Sequence, residues 1–162
     1  MRILYVLTSL GVGGAEKQAI ALAERMAARG HTVTFIVLKH TAEEILPHLP
    51  QGSKTIEKFC FSSCGADGFQ SQLIARDIKQ VIIVGIEAHI CVTQTVLDLL
   101  SAGLEVHLLV DCITSRKRES KEVALARLTQ AGAVPSNLEM ALFEMMGTAD
   151  SPMFKAVQSL IK

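Results

Sequence analysis

Four consecutive residues in the middle of the chain, Val81-Ile82-Ile83-Val84, are apolar at every position and run into Gly85. A strand with one face in water alternates polar and apolar side chains. An unbroken apolar run of strand length belongs instead to a strand covered on both faces, which is the habit of parallel sheets. Such a strand needs helices above and below it, and the flanking sequence supplies them. A helical pattern over Cys91–Ala102 places Val92, Val96, Leu99 and Leu100 on one side, and a second strand-like run, Val106–Val110, ends at Asp111. The chain therefore reads as α/β, a three-layer α/β/α, Rossmann-like open parallel sheet of five or six strands.

The remaining segments fit this alternation. Met1–Ser9 is a run of strand formers, followed by a glycine turn at Gly11, Gly13 and Gly14 and by a helix that carries Ala19, Leu22, Ala23 and Met26 on one face up to Gly30. His31–Leu38 is again strand-like, which completes a βαβ unit. Residues 39 to 53 hold a short helix, Glu43–Leu49, and a turn, and act as a connection. Lys54–Phe61 can extend, Phe69–Asp77 and Ser120–Ala131 read as helices, Ala133-Val134 as a short strand, and Asn137–Met146 and Pro152–Ile161 as closing helices. At 162 residues, with few aromatics, one domain spans the whole chain and packs its core from Val, Ile, Leu, Ala and Met.

Sixteen acids balance sixteen bases. That balance argues against a collector of nucleic acid or anionic lipid, and no apolar run is long enough to cross a bilayer. The first residues read as strand plus helix and not as a signal peptide, so the chain is expected in the cytoplasm, with no nucleic-acid or membrane partner. Cys60 and Cys64 are loosely spaced for metal ligands and lack a completing His or Cys pair; free thiols are the better reading, and no metal or cofactor is expected.

Cys91 is the residue that points to chemistry. It follows the Val81–Val84 strand and the turn Ile86-Glu87-Ala88-His89-Ile90, and it opens the next helix. A thiol at a helix mouth sees unpaired N–H groups and the positive end of the helix dipole, which favour thiolate and can also hold an oxyanion. A small buried apolar cysteine accounts equally well for the position alone.

The run VIIVGIEAHICVTQTVLDLLSAGLEVHLLVDCITSR resembles the core of isochorismatase-like hydrolases. The resemblance extends upstream through TIEKFCFSSCGADGF and downstream through ALARLTQAGAVPSNLEMALFEMMGTADSPMFKAVQSLIK, so it covers about residues 53–162. It implies that Cys91 is a nucleophile, that Lys58 is its cationic partner, and that a cis peptide at Ile86–Glu87 turns the N–H groups of Ile90 and Cys91 toward a substrate carbonyl. Without the resemblance Lys58 would pass for an ordinary solvated lysine. His89 is expected to contact substrate or to fill space, because adjacent residues in such a turn point apart. Asp111 lines the pocket or, more commonly for such an Asp, caps a turn.

One element of that family pattern is missing. The family's first strand ends in an Asp that takes the thiol proton, whereas here it ends Leu7-Thr8-Ser9, and no acid precedes Glu16. The opening segment, MRILYVLTSLGVGGAEKQAIALAERMAARGHTVTFIVL, resembles instead the start of GT-B-fold glycosyltransferases, and that likeness stops near Leu38. Residues 1–40 are thus expected to be a glycosyltransferase-like βαβ unit joined to a hydrolase-like remainder, an engineered chimera. The expected function is a cysteine hydrolase of isochorismatase type, acting on C–N, ester or ether bonds and impaired by the missing Asp. The alternative is an anion- or nucleotide-binding module built on Gly11, Gly13 and Gly14, whose backbone N–H groups could hold an anion. A small-molecule ligand fits either reading, and a homo-oligomer is compatible with both.

Overall fold

The computed structural model describes residues 56–159 and 161, and in the preceding part of the chain the backbone of two strands. The described elements are β1 (Arg2–Leu7), β2 (Thr32–Val37), α1 (Phe69–Ala75), β3 (Gln80–Ile86), α2 (Thr93–Ser101), β4 (Glu105–Thr114), α3 (Arg118–Gln130), β5 (Val134–Ser136), α4 (Leu138–Met146) and α5 (Phe154–Gln158). Two short turns complete them, a 3₁₀ turn at Ser63–Gly65 and a π turn at Ala88–Val92.

The strands form one parallel sheet in the order β2-β1-β3-β4-β5. Strand β3 is buried from Val81 to Gly85, as its unbroken apolar run requires. Phe69, Ile83, Leu99 and Leu108 are the largest fully buried side chains of the main core, which also takes in Val92, Val96 and Val106. The chain runs from β1 to β2 on one side and to β3 on the other. The β1/β3 pair is therefore the point where the strand order reverses, the place where open α/β sheets bind ligands beyond their carboxyl ends.

Several boundaries differ from the sequence expectation. Residues 56–61 form no strand. Asp111 does not end its strand: β4 continues to Thr114, because its last residues pair with the end of β3, Gly85 with Ile113 and Ile86 with Thr114. A register shift between Ile83 and Gly85 takes up the additional residues of β4. Gly85, at φ +115°, occupies this irregularity in a conformation that other residues rarely adopt. Strand β5 contains Pro135 and lies at the sheet edge, where a missing N–H costs no ladder bond. The last helix, α5, is shorter than the Pro152–Ile161 pattern suggested. Asp111 instead caps α4, with its two carboxylate oxygens accepting the Leu138 N–H at 3.0 and 3.1 Å. Asn137 accepts the Met140 N–H at 2.7 Å as the N-cap of the same helix. Among the described residues no helix is long and apolar enough to cross a membrane.

Truncating the fully buried Leu108 removes packing from the centre of this core. Leu108→Ala is expected to cost about 2–5 kcal/mol in urea unfolding monitored by circular dichroism.

Candidate active site

Strand β3 delivers the chain to the carboxyl edge of the sheet, and its partner β1 ends beside it, with Leu7 opposite Val84. The next six residues, Glu87–Val92, carry the candidate nucleophile. The peptide Ile86–Glu87 is cis, at the bond where the family resemblance implied it. Helical structure then begins one turn earlier than expected. The π turn Ala88–Val92 has Glu87 as its N-cap and passes directly into α2, so Cys91 sits inside the first turn and not at its mouth. The Val92 N–H bonds to the Glu87 carbonyl at 3.3 Å, and the Ile90 N–H bonds to the same oxygen at 3.0 Å. Of the two N–H groups expected to face a substrate carbonyl, that of Ile90 is thus already engaged. π turns are rare and concentrate at functional sites. Cys91 itself is half-buried and reduced.

Lys58 is not the solvated residue that its type suggests. Only 5% of it is exposed, and its ammonium donates to the carbonyls of Cys60 at 2.9 Å and Phe61 at 2.7 Å. A buried cation must be paired or hydrogen-bonded, and these two carbonyls hold it. The adjoining stretch is stitched to the helix that follows Cys91. Ser63 N–H donates to Thr95 Oγ1 at 2.9 Å, and Ser62 Oγ donates to Asp98 Oδ2 at 2.6 Å. Lys58 and Cys91 therefore lie on segments anchored to the same helix, α2, although among the described residues no hydrogen bond joins the ammonium to the sulfur. The lysine turns inward while its neighbours Phe59 and Phe61 turn out, 90% and 61% exposed.

His89 has a role the sequence did not suggest. Its Nδ1 lies 2.9 Å from Ser115 Oγ and 3.5 Å from Glu87 Oε2, and that carboxylate oxygen also accepts the Arg116 N–H at 3.1 Å. Sequence reasoning missed Ser115 and Arg116, and it treated Glu87 only as part of the cis-peptide region. At the base of the turn, Thr93 Oγ1 donates to the Ala88 carbonyl at 2.7 Å in a buried bond. Asp111 is tied to α4 and takes the capping role. Gly11, Gly13 and Gly14 lie outside the described residues.

Cys112 is buried, and burial pushes the Cys64 thiol up to about 11, against a hydrogen bond from Ser62 that lowers it. Cys64 also lines an open cleft of about 660 Å³ floored by Leu73, Ile78, Leu99 and Leu104. That cleft opens near the start of β3 and the end of α2, at the sheet edge opposite Cys91.

Comparison with known proteins bears on this geometry. The isochorismatase domain matches residues 5–140. Isochorismatase domain-containing protein 2 of Bos taurus is 38% identical over 153 residues, 90% of this chain and 74% of that protein. The Homo sapiens protein of the same name is 37% identical over 152 residues, 90% of this chain and 73% of its own length. Among solved structures, the MAR1 ribonuclease from Caenorhabditis elegans superposes with a TM-score of 0.82 at 29% identity, covering 99% of this chain and 88% of that one. The domain match begins at residue 5, inside β1, and so takes in residues that the sequence likened to glycosyltransferases. These comparisons give no support to a separate origin for residues 1–40 or to a chimera.

Removing the Lys58 ammonium leaves two partly buried carbonyls short of a donor. Lys58→Ala is expected to lower stability by about 1–3 kcal/mol in urea unfolding, where a solvated lysine would give no change.

Proposed function

The chain belongs to the isochorismatase domain family, and from that premise we propose that it is a cysteine hydrolase in which Cys91 is the nucleophile and Lys58 the buried cation of the site. The observation that carries this reading is the position of Cys91, in the first turn after β3, at the edge where β1 and β3 part. The Cys91 sulfur attacks the carbonyl carbon of an activated amide or ester. The C–N or C–O bond breaks, the leaving group departs with a proton, and the acyl group stays on sulfur as a thioester. Water then hydrolyses that thioester and returns the thiol.

The proton acceptor for the first step is the weak part of the site. The residues that follow β1 are Thr8 and Ser9, where the family has its Asp. Loss of a general base typically slows a reaction by ~10²–10⁴-fold, so turnover is expected to be slow. Neither the domain match nor the described residues support an anion-binding role for the glycine turn.

Two experiments test the proposal. Wild type and Cys91→Ala are compared on activated esters, small primary amides and, because a structural relative is described as a ribonuclease, a short RNA. Slow ester or amide hydrolysis that disappears in Cys91→Ala is the expected result; activity that survives the substitution, or cleavage of RNA alone, overturns the reading. In the second, a carboxylate is installed after β1 as Thr8→Asp or Ser9→Asp. One of the two is expected to raise the hydrolysis rate by about 10²-fold or more, the usual size of a general-base contribution.

A further inference from the structure

The turn that carries Cys91 is not held by its own helix alone. Two of its side chains reach across to the connection between β4 and α3. Glu87 Oε2 takes the Arg116 N–H at 3.1 Å, and His89 Nδ1 shares a hydrogen bond with Ser115 Oγ at 2.9 Å while lying 3.5 Å from the same Glu87 oxygen. The side chains of Glu87 and His89 are each 25% exposed; the His89–Ser115 bond is partly buried and the Glu87–Arg116 bond lies at the surface. The partners are 29 and 26 residues away in the chain. The two links flank the cysteine's turn on its outer side, and the Thr93–Ala88 bond holds its inner side.

We propose that Glu87 is a positioning residue for Cys91: its carboxylate, together with the His89–Ser115 bond beside it, fastens the nucleophile's turn to the β4–α3 connection and so sets where the sulfur sits. This inference rests on the reading of Cys91 as the nucleophile. Physically, a π turn closes with longer hydrogen-bonded rings than an α-helix and gains less from its own ladder, so outside support decides its shape. Small displacements of a reacting atom are expensive: about 1 Å can cost 10²-fold in rate. The network acts on the turn through hydrogen bonds.

The test measures iodoacetamide labelling of Cys91 by peptide mass mapping, with Cys60 in the same sample as internal reference, in wild type, Glu87→Gln, Glu87→Ala and Ser115→Ala. Amide hydrogen exchange of the 86–93 peptide is followed in parallel, with the 106–110 peptide as control. Glu87→Gln keeps an oxygen that can accept the Arg116 N–H and is expected to label within about threefold of wild type. Glu87→Ala is expected to label about tenfold or more away from wild type, a fraction of the 10²-fold that 1 Å of misplacement can cost. Its 86–93 exchange is expected to rise at least tenfold while 106–110 is unchanged; Ser115→Ala should fall between. Rescue by glutamine separates a hydrogen-bonding anchor from a charge, and the local exchange separates it from a general loss of stability.

The outcomes are distinguishable. If wild-type Cys91 labels no faster than Cys60, the nucleophile reading fails, and the exchange data still judge the anchor. If Cys91 labels selectively but Glu87→Ala matches wild type in both readouts, this inference alone fails. It fails too if glutamine behaves like alanine. Should Glu87→Ala not fold, the Glu87→Gln and Ser115→Ala pair decides: Ser115→Ala indistinguishable from wild type in both readouts overturns the proposal.

Discussion

Burial of β3 on both faces is the constraint from which the rest of the molecule follows. With every position from Val81 to Gly85 inside, the strand has no inner and outer side to set its register. Its position is set by its neighbours and by how it ends. On one side β1 pairs with Tyr5 opposite Ile82 and Leu7 opposite Val84; on the other, β4 pairs regularly as far as Leu108 and then shifts register around Gly85. The chain leaves this crowded edge through the Ile86–Glu87 bond and coils at once into helix. A cysteine four residues beyond that bond is thereby placed at the sheet's carboxyl edge, next to the reversal of strand order.

Much of this was legible in the sequence because it is local. The apolar run at 81–84, the glycine after it and the helical spacing of Val92, Val96 and Leu99 together announce strand, turn and helix, and the family motif adds the cis bond. What was not legible depends mostly on residues far apart in the chain. Asp111 read as a strand end because an acid after an apolar run normally marks one, yet pairing with the end of β3 carries β4 three residues further. By residue type alone Lys58 would read as solvated, and only the family resemblance gave it a role; the chain buries it on the carbonyls of Cys60 and Phe61. Ser115 and Arg116 look like ordinary loop residues, and only the fold shows that they face Glu87 and His89. The start of the helix is a different case. The π turn begins at Ala88 with no side-chain cap, so there was no capping residue to read.

The Cys91 turn and the Lys58 stretch, both joined to α2, are unlike in character. The Cys91 turn is regular, coiled and braced from outside. The Lys58 stretch is irregular and ordered by an ammonium that gathers two carbonyls of its own chain, which points the charge inward and leaves Phe59 and Phe61 on the surface. Two main-chain oxygens thus supply the hydrogen bonds that a buried cation requires.

The bond from Glu87 to position 116 ends on a main-chain N–H, not on the arginine side chain. Any residue except proline offers that same donor. Position 116, exposed on the surface, can thus exchange one side chain for another, altering size, charge or polarity, without loosening that bond.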